Sequence, residues 1–261
     1  IRVRARTVVS SAGAINGPAL LLRSGLDEKG LVGKRTFLHP VVALPAYYEE
    51  AIEGFHGAPQ SVSSHQFIDR GPDRFGFFME AAPLQPVLAV GGSMLIGAAQ
   101  QEMMGRLPHM GVLIALAADG FLEGDSGGTV SLRSDGRVRL DYPVSERLAE
   151  SFRAAHVAMA RISMAAGAQL VQSTHTTPVH VRLEADLAAL KSAPYGALEH
   201  PIFSAHQMGG CPMGSDPSTS VVNPDFGHHE VRNLFVVDGS VLPTSLGVNP
   251  QLSIMAWAHR A

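Results

Sequence analysis

The stretch Asn233-Leu-Phe-Val-Val-Asp-Gly-Ser-Val-Leu-Pro243, with Gly247-Val-Asn-Pro250 close behind it, decides how this chain is read. Leu234 to Val237 are four apolar residues in a row, too short for a helix and suited to a buried strand. Asp238 and Gly239 close that strand. In open α/β sheets the carboxyl ends of strands are where ligands bind. Further on, Asn249 is a favoured N-cap and Pro250 a favoured first residue for a helix that continues through the run Gln-Leu-Ser-Ile-Met-Ala-Trp-Ala-His-Arg. The first turn of such a helix carries unpaired N–H groups and a partial positive charge, so it attracts an anion.

Upstream lies Ser204-Ala-His206-Gln-Met-Gly209-Gly210-Cys211. Near the other end, Val8-Val9-Ser10-Ser11 runs into Ala12-Gly13-Ala14 and then an apolar helix from Pro18 to Gly25, a strand, turn and helix through which backbone can approach a nucleotide closely. These motifs together resemble the C-terminal part of the glucose–methanol–choline family of FAD-dependent oxidoreductases. The N-terminal match departs at Gly17, where the family usually carries serine or threonine.

The resemblance implies FAD as cofactor. It makes His206 and Asn249 the pair facing a substrate alcohol, and has Ala12, Gly13, Ala14, Asp238 and Gly239 touch the flavin's nucleotide, diphosphate and ribityl parts. The helix opened by Asn249, Pro250 and Gln251 would point at the isoalloxazine ring. Oxidising an alcohol to an aldehyde or ketone removes a hydroxyl proton and a hydride from one carbon, so a base must reach the oxygen while flavin N5 faces the carbon. Neutral imidazole suits the base, His206. The Asn249 amide can donate to the same oxygen and hold it. Oxidase and dehydrogenase chemistry are both open, and among relatives the motifs look most like enzymes of aliphatic alcohols.

The glycine-rich fingerprint G-x-G-x-x-G of a dinucleotide-binding unit is missing: Gly71, Gly91-Gly92, Gly124 and Gly127-Gly128 have the wrong spacing. The expectation is therefore a chain that lacks the N-terminal FAD-binding half, begins away from its natural start, and is inactive by itself. A non-catalytic flavoprotein subunit or binding module, or a flavin-containing lyase of the same family, are the alternatives.

Composition sets bounds. In 261 residues, 46% hydrophobic and 16% charged content describes a chain with a sizeable core. A net charge of −3 gives no reason to expect nucleic acid. The single Cys211 rules out an internal disulfide and argues against a structural zinc site, and no metal is expected.

Between the two family segments the text changes to sheet-forming runs: Val41 to Tyr48, the tract Pro59-Gln-Ser, Phe75 to Glu80, Gly111 to Ala118, and a hairpin from Thr129 to Tyr142 around Asp135-Gly136. A helix capped by Ser145 follows, with Leu148, Phe152, Ala155, Met159 and Ile162 on one stripe. The fold class is α+β with α/β pieces: FAD-domain segments 1–39 and 204–261, and an inserted antiparallel sheet with helices, the substrate domain, over 40–203. The uncharged stretch after Glu80 is broken by Pro83, Pro86, Gly91 and Gly92, which favours an apolar lid over a membrane span. The protein is expected to be soluble, in the cytoplasm or in peripheral contact with a membrane. His228 and His229 read as loop surface, and His175 and His180 as a polar turn.

Overall fold

The computed structural model describes residues 3–58 and 60–261. Ile1 and Arg2 of the expected opening strand, and Pro59 of the Pro59-Gln-Ser tract, lie outside them. In chain order the elements begin with β1 (Val8–Ser10), α1 (Gly13–Arg23), β2 (Thr36–Phe37), β3 (Val41–Tyr47), β4 (Ser63–Ser64) and β5 (Phe77–Ala81). There follow α2 (Pro86–Gly92), α3 (Gly97–Gly105), β6 (Met110–Ala117), β7 (Thr129–Leu132), β8 (Val138–Asp141) and α4 (Glu146–Ala165). The last are β9 (Leu170–Gln172), β10 (His180–Val181), α5 (Leu187–Ser192), β11 (Met208–Gly209), β12 (Leu234–Val236) and α6 (Gln251–Arg260).

They form two compact units, residues 1–39, 118–143 and 204–261 in one, 40–117 and 144–203 in the other. The first and last chain crossings fall where composition changes. The hairpin β7–β8, expected in the inserted domain, belongs instead to the first unit. It packs on α1, and Thr36 and Gly128 exchange backbone hydrogen bonds. Alternation marks a hairpin but does not say which neighbour it covers.

In the first unit β1 and β12 pair in parallel, Val9 opposite Phe235. Leu21, Cys211, Val222, Phe226 and Val236 form its core. Burial pushes the Cys211 thiol up to about 12, so it packs as a small apolar residue. Met208 is buried there too, and Met213 packs against the same core. Helix α1 starts five residues before the proline expected to open it, and Pro18 lies inside. Packing of Ala14, Gly17 and Ala19 overrides the local preference.

The second unit is a six-stranded antiparallel sheet in the order β10-β9-β3-β6-β5-β4. Helix α4 packs on β3 and β6 through a stripe in which Leu148, Phe152, Ala155 and Met159 are buried. The Ser145 hydroxyl accepts from Leu148 N at its start (3.2 Å). Ile162, expected on that stripe, is exposed: the buried face drifts round the helix, and in the last turn Ser163 is buried in its place. The uncharged stretch folds as α2 and α3, lining an apolar cavity of about 540 Å³ with Pro45, Leu84, Val112 and Ile114. Among the described residues no helix is long and apolar enough to cross a membrane.

Candidate active site

All the residues described next belong to the first unit. His206 sits in the loop before β11, which pairs with β2. Gly209 has φ +77, and a Cβ there would overlap the Arg35 carbonyl oxygen, so only glycine allows these backbones to touch. The Ser204 hydroxyl donates to Leu38 O and accepts from His206 N (3.0 Å). The Gln207 side chain donates to Ser204 O (2.8 Å). The loop is thus bound at Ser204, His206 and Gln207, and the half-buried His206 ring projects from it.

Asn249 lies 43 residues away, and its Nδ2 stands 3.5 Å from His206 Nε2. The expected helix start shifts by one residue. Pro250, not Asn249, is the N-cap of α6, Gln251 is the first helical residue, and no side chain caps the turn. With its amide turned to His206, Asn249 leaves the helix's first N–H groups uncovered.

Behind His206 stands a second imidazole that sequence reading passed over. His39 is fully buried, its Nδ1 is 3.2 Å from His206 Nδ1, and its Nε2 accepts from Gly247 N (3.0 Å). Burial, then the neighbouring His206, pushes His39 down to about 3; burial alone lowers His206. The backbone at His39 is left-handed, φ 44. It is held by the buried Asp119, whose carboxylate accepts from Leu38 N (2.9 Å), His39 N (3.0 Å) and the Tyr142 hydroxyl (2.7 Å). Burial raises the Asp119 pKa against the pull of those donors. Two signals were available: a histidine before Pro40 at the mouth of β3, and an acid at the carboxyl end of β6, the same position that made Asp238 conspicuous.

The Asp238 carboxylate joins the two turns singled out for the cofactor, accepting from Gly13 N (2.9 Å) and Ser240 N (2.8 Å). Ala12 and Gly13 of that turn reach the surface and Ala14 is buried. Gly13 has φ +80 and nothing within 4 Å of where a Cβ would be, whereas a Cβ on Gly239 would crowd Ile254 of α6 and Gln207 O. Both turns and the start of α6 therefore converge in this unit. A glycine open to its surroundings on one turn and an uncapped helix start fit a nucleotide with anionic groups.

The other histidines are differently placed than expected. His228 is buried, accepting from Glu230 N, and so is not loop surface, while the half-buried His229 bonds the Ser220 hydroxyl and Gly214 O. In the second unit His175 is buried in an aromatic cluster, while His180 is exposed on β10. Among the described residues no group of His, Cys, Asp or Glu side chains is arranged for a metal ion.

A mixed α and β chain with this turn-and-helix constellation fits a protein that binds a nucleotide cofactor. Family models described as GMC oxidoreductase match residues 124–258 and 1–41, and the chain belongs to that family. It is 28% identical over 98% of its length to "Long-chain-alcohol oxidase FAO4A" of Arabidopsis thaliana, covering 36% of that protein. It is 31% identical to "Uncharacterized GMC-type oxidoreductase Rv0492c" of Mycobacterium tuberculosis, over 98% of this chain and 39% of the relative. The crystal structure of pyridoxine 4-oxidase from Mesorbium loti superposes with a TM-score of 0.66 at 18% identity, over 98% of this chain and 50% of that one, which speaks to fold alone. The chain thus spans well under half of these curated relatives' length.

Proposed function

We propose that this chain carries the substrate-handling part of a flavin-dependent enzyme that oxidises an alcohol to an aldehyde or ketone. His206 takes the hydroxyl proton and Asn249 orients the hydroxyl. The observation that carries the reading is the 3.5 Å between Asn249 Nδ2 and His206 Nε2, across which one oxygen can meet both groups at hydrogen-bond distance. A bound FAD supplies the hydride acceptor. The residues that would hold it are Ala12, Gly13 and Ala14, Asp238 and Gly239, and the helix start at Asn249, Pro250 and Gln251. His206 is partly withdrawn from water, which lowers its pKa and keeps the imidazole neutral at pH 7, the form that can accept a proton.

An aliphatic substrate would suit the mostly apolar cavity of the second unit. Such a substrate is supported by the long-chain-alcohol oxidases among the relatives. A series of straight-chain primary alcohols should gain about fourfold in kcat/KM for each methylene buried, from about 0.8 kcal/mol per CH₂. A flat series would sink the aliphatic reading. The exposed Val87, Leu88 and Ile96 on and beside α2 suit peripheral contact with a lipid surface, which sedimentation with phosphatidylcholine vesicles would measure.

The missing FAD-binding half enters the proposal through two surfaces. Parallel sheets are normally covered on both faces, yet Val8 and Val9 of β1 are about half exposed, and α6 buries none of its residues. Further chain covering them would complete the flavin site, and the 261 residues alone would bind flavin weakly and turn over nothing. The deciding experiment substitutes His206→Ala and Asn249→Asp in the complete enzyme. Turnover should collapse with flavin still bound, and unchanged turnover would exclude the assignment.

A further inference from the structure

A backbone N–H is a donor and nothing else. Because Gly247 N points at His39 Nε2 from 3.0 Å, that ring nitrogen is the bare one. Buried and shifted down to about 3, His39 is neutral under ordinary conditions and has a single ring hydrogen, which therefore sits on Nδ1. Facing it at 3.2 Å, His206 Nδ1 accepts. The hydrogen of a neutral His206 is then on Nε2. The opposite assignment would set an N–H against the N–H of Gly247. The hydrogens follow from that one fixed donor.

Asn249 Nδ2 and His206 Nε2 are thus both donors, 3.5 Å apart. Two donors make a poor pair for each other and a good pair for one oxygen between them. We propose that His39 is a positioning residue that fixes the tautomer of His206, so that the resting site offers two N–H groups to a single substrate oxygen. The proposal rests on His206 and Asn249 being the hydroxyl's partners and adds to that reading an order of events. His206 meets the alcohol first as a donor. It takes the hydroxyl proton at Nε2 only after its own Nε2 hydrogen has left to solvent water at the half-exposed face, His39 has passed its Nδ1 hydrogen to His206 Nδ1, and His39 Nε2 has taken one from water as the Gly247 hydrogen bond opens.

Nitrogen-15 NMR of histidine-labelled complete protein reads the tautomer directly. His206 should appear protonated at Nε2 and bare at Nδ1, its signals identified by their loss in His206→Gln. His39→Asn keeps an N–H for His206 Nδ1, and asparagine accepts a positive φ, so the signature should survive. His39→Phe removes the donor, and His206 should then show both tautomers, with kcat lower by up to about 100-fold and flavin retained. His206 protonated at Nδ1 in the unsubstituted protein would overturn the proposal without recourse to any variant, as would an unaltered signature in a folded His39→Phe protein. The pair's role in the reaction is tested separately, because turnover that survives His206→Ala would remove that role and leave the measured tautomer standing.

Discussion

Two groups of imidazoles, one in each unit, have had their pKa values driven down by burial, and they differ in everything else that matters. His39 and His206 belong to a directed chain that starts at the Gly247 N–H and ends on a nitrogen open to a ligand. His156, His175 and His200 pack with Tyr195 at ring separations of 4.8 to 5.8 Å, closed off from water. His156 Nδ1 lies 2.8 Å from Phe152 O, while its Nε2 and that of His200 have no hydrogen-bond partner among the described residues. A depressed pKa therefore marks burial. Direction of hydrogen bonding and one free face mark a site.

The comparison can be broken most forcefully by turnover. His206→Ala should cost about 10²–10⁴-fold in kcat and Asn249→Asp about 10²–10³-fold, measured in the complete enzyme with flavin content checked by absorbance. His156→Phe should leave kcat within a few fold. An equal loss there would make the closed cluster part of the chemistry.

Stability against pH sharpens the same contrast. His156 is neutral in the fold with a pKa of about 3, against about 6.5 in the unfolded chain, so the unfolded state binds more protons between those values. Its contribution is complete above pH 6.5 and is lost as pH falls toward 3. The loss is about 1.4 kcal/mol per pH unit from this residue. Urea titrations from pH 7 to pH 5 should show the slope, and His156→Phe should reduce it by about this amount, the other histidines lowered by burial keeping the rest. The smallest effect belongs to a residue in neither group. Ser145→Ala removes the cap of α4 and should lower stability by about 1 kcal/mol, read by the same titration, with kcat untouched.

Much of this was legible in the residues. Four apolar side chains ending on Asp238-Gly239 announced β12, the Asp135-Gly136 turn announced β7 and β8, and Ser145 with its stripe announced α4. His206 and Asn249, far apart in the chain, were paired through the family motif. What local pattern could not supply was the second layer. His39 was hidden because its partners, Gly247 and Asp119, come from remote segments, and no periodicity links a buried histidine to the amide that orients it. The helix starts slipped for a related reason: the side chain of Asn249 was spent on His206, and α1 was extended by what it packs against. The burial of His228 likewise depends on neighbours that its own surroundings in sequence do not reveal.

The glycine at 209 has a consequence for how such a protein can drift. Main chain rests on main chain where β11 meets Arg35, so the loop bearing His206 takes its position from atoms common to all amino acids. Neighbouring side chains other than Ser204 and Gln207, whose hydrogen bonds also hold the loop, can be exchanged over generations, or by a designer seeking a new substrate, without disturbing that backbone contact. A single added methyl at this one position would shift it.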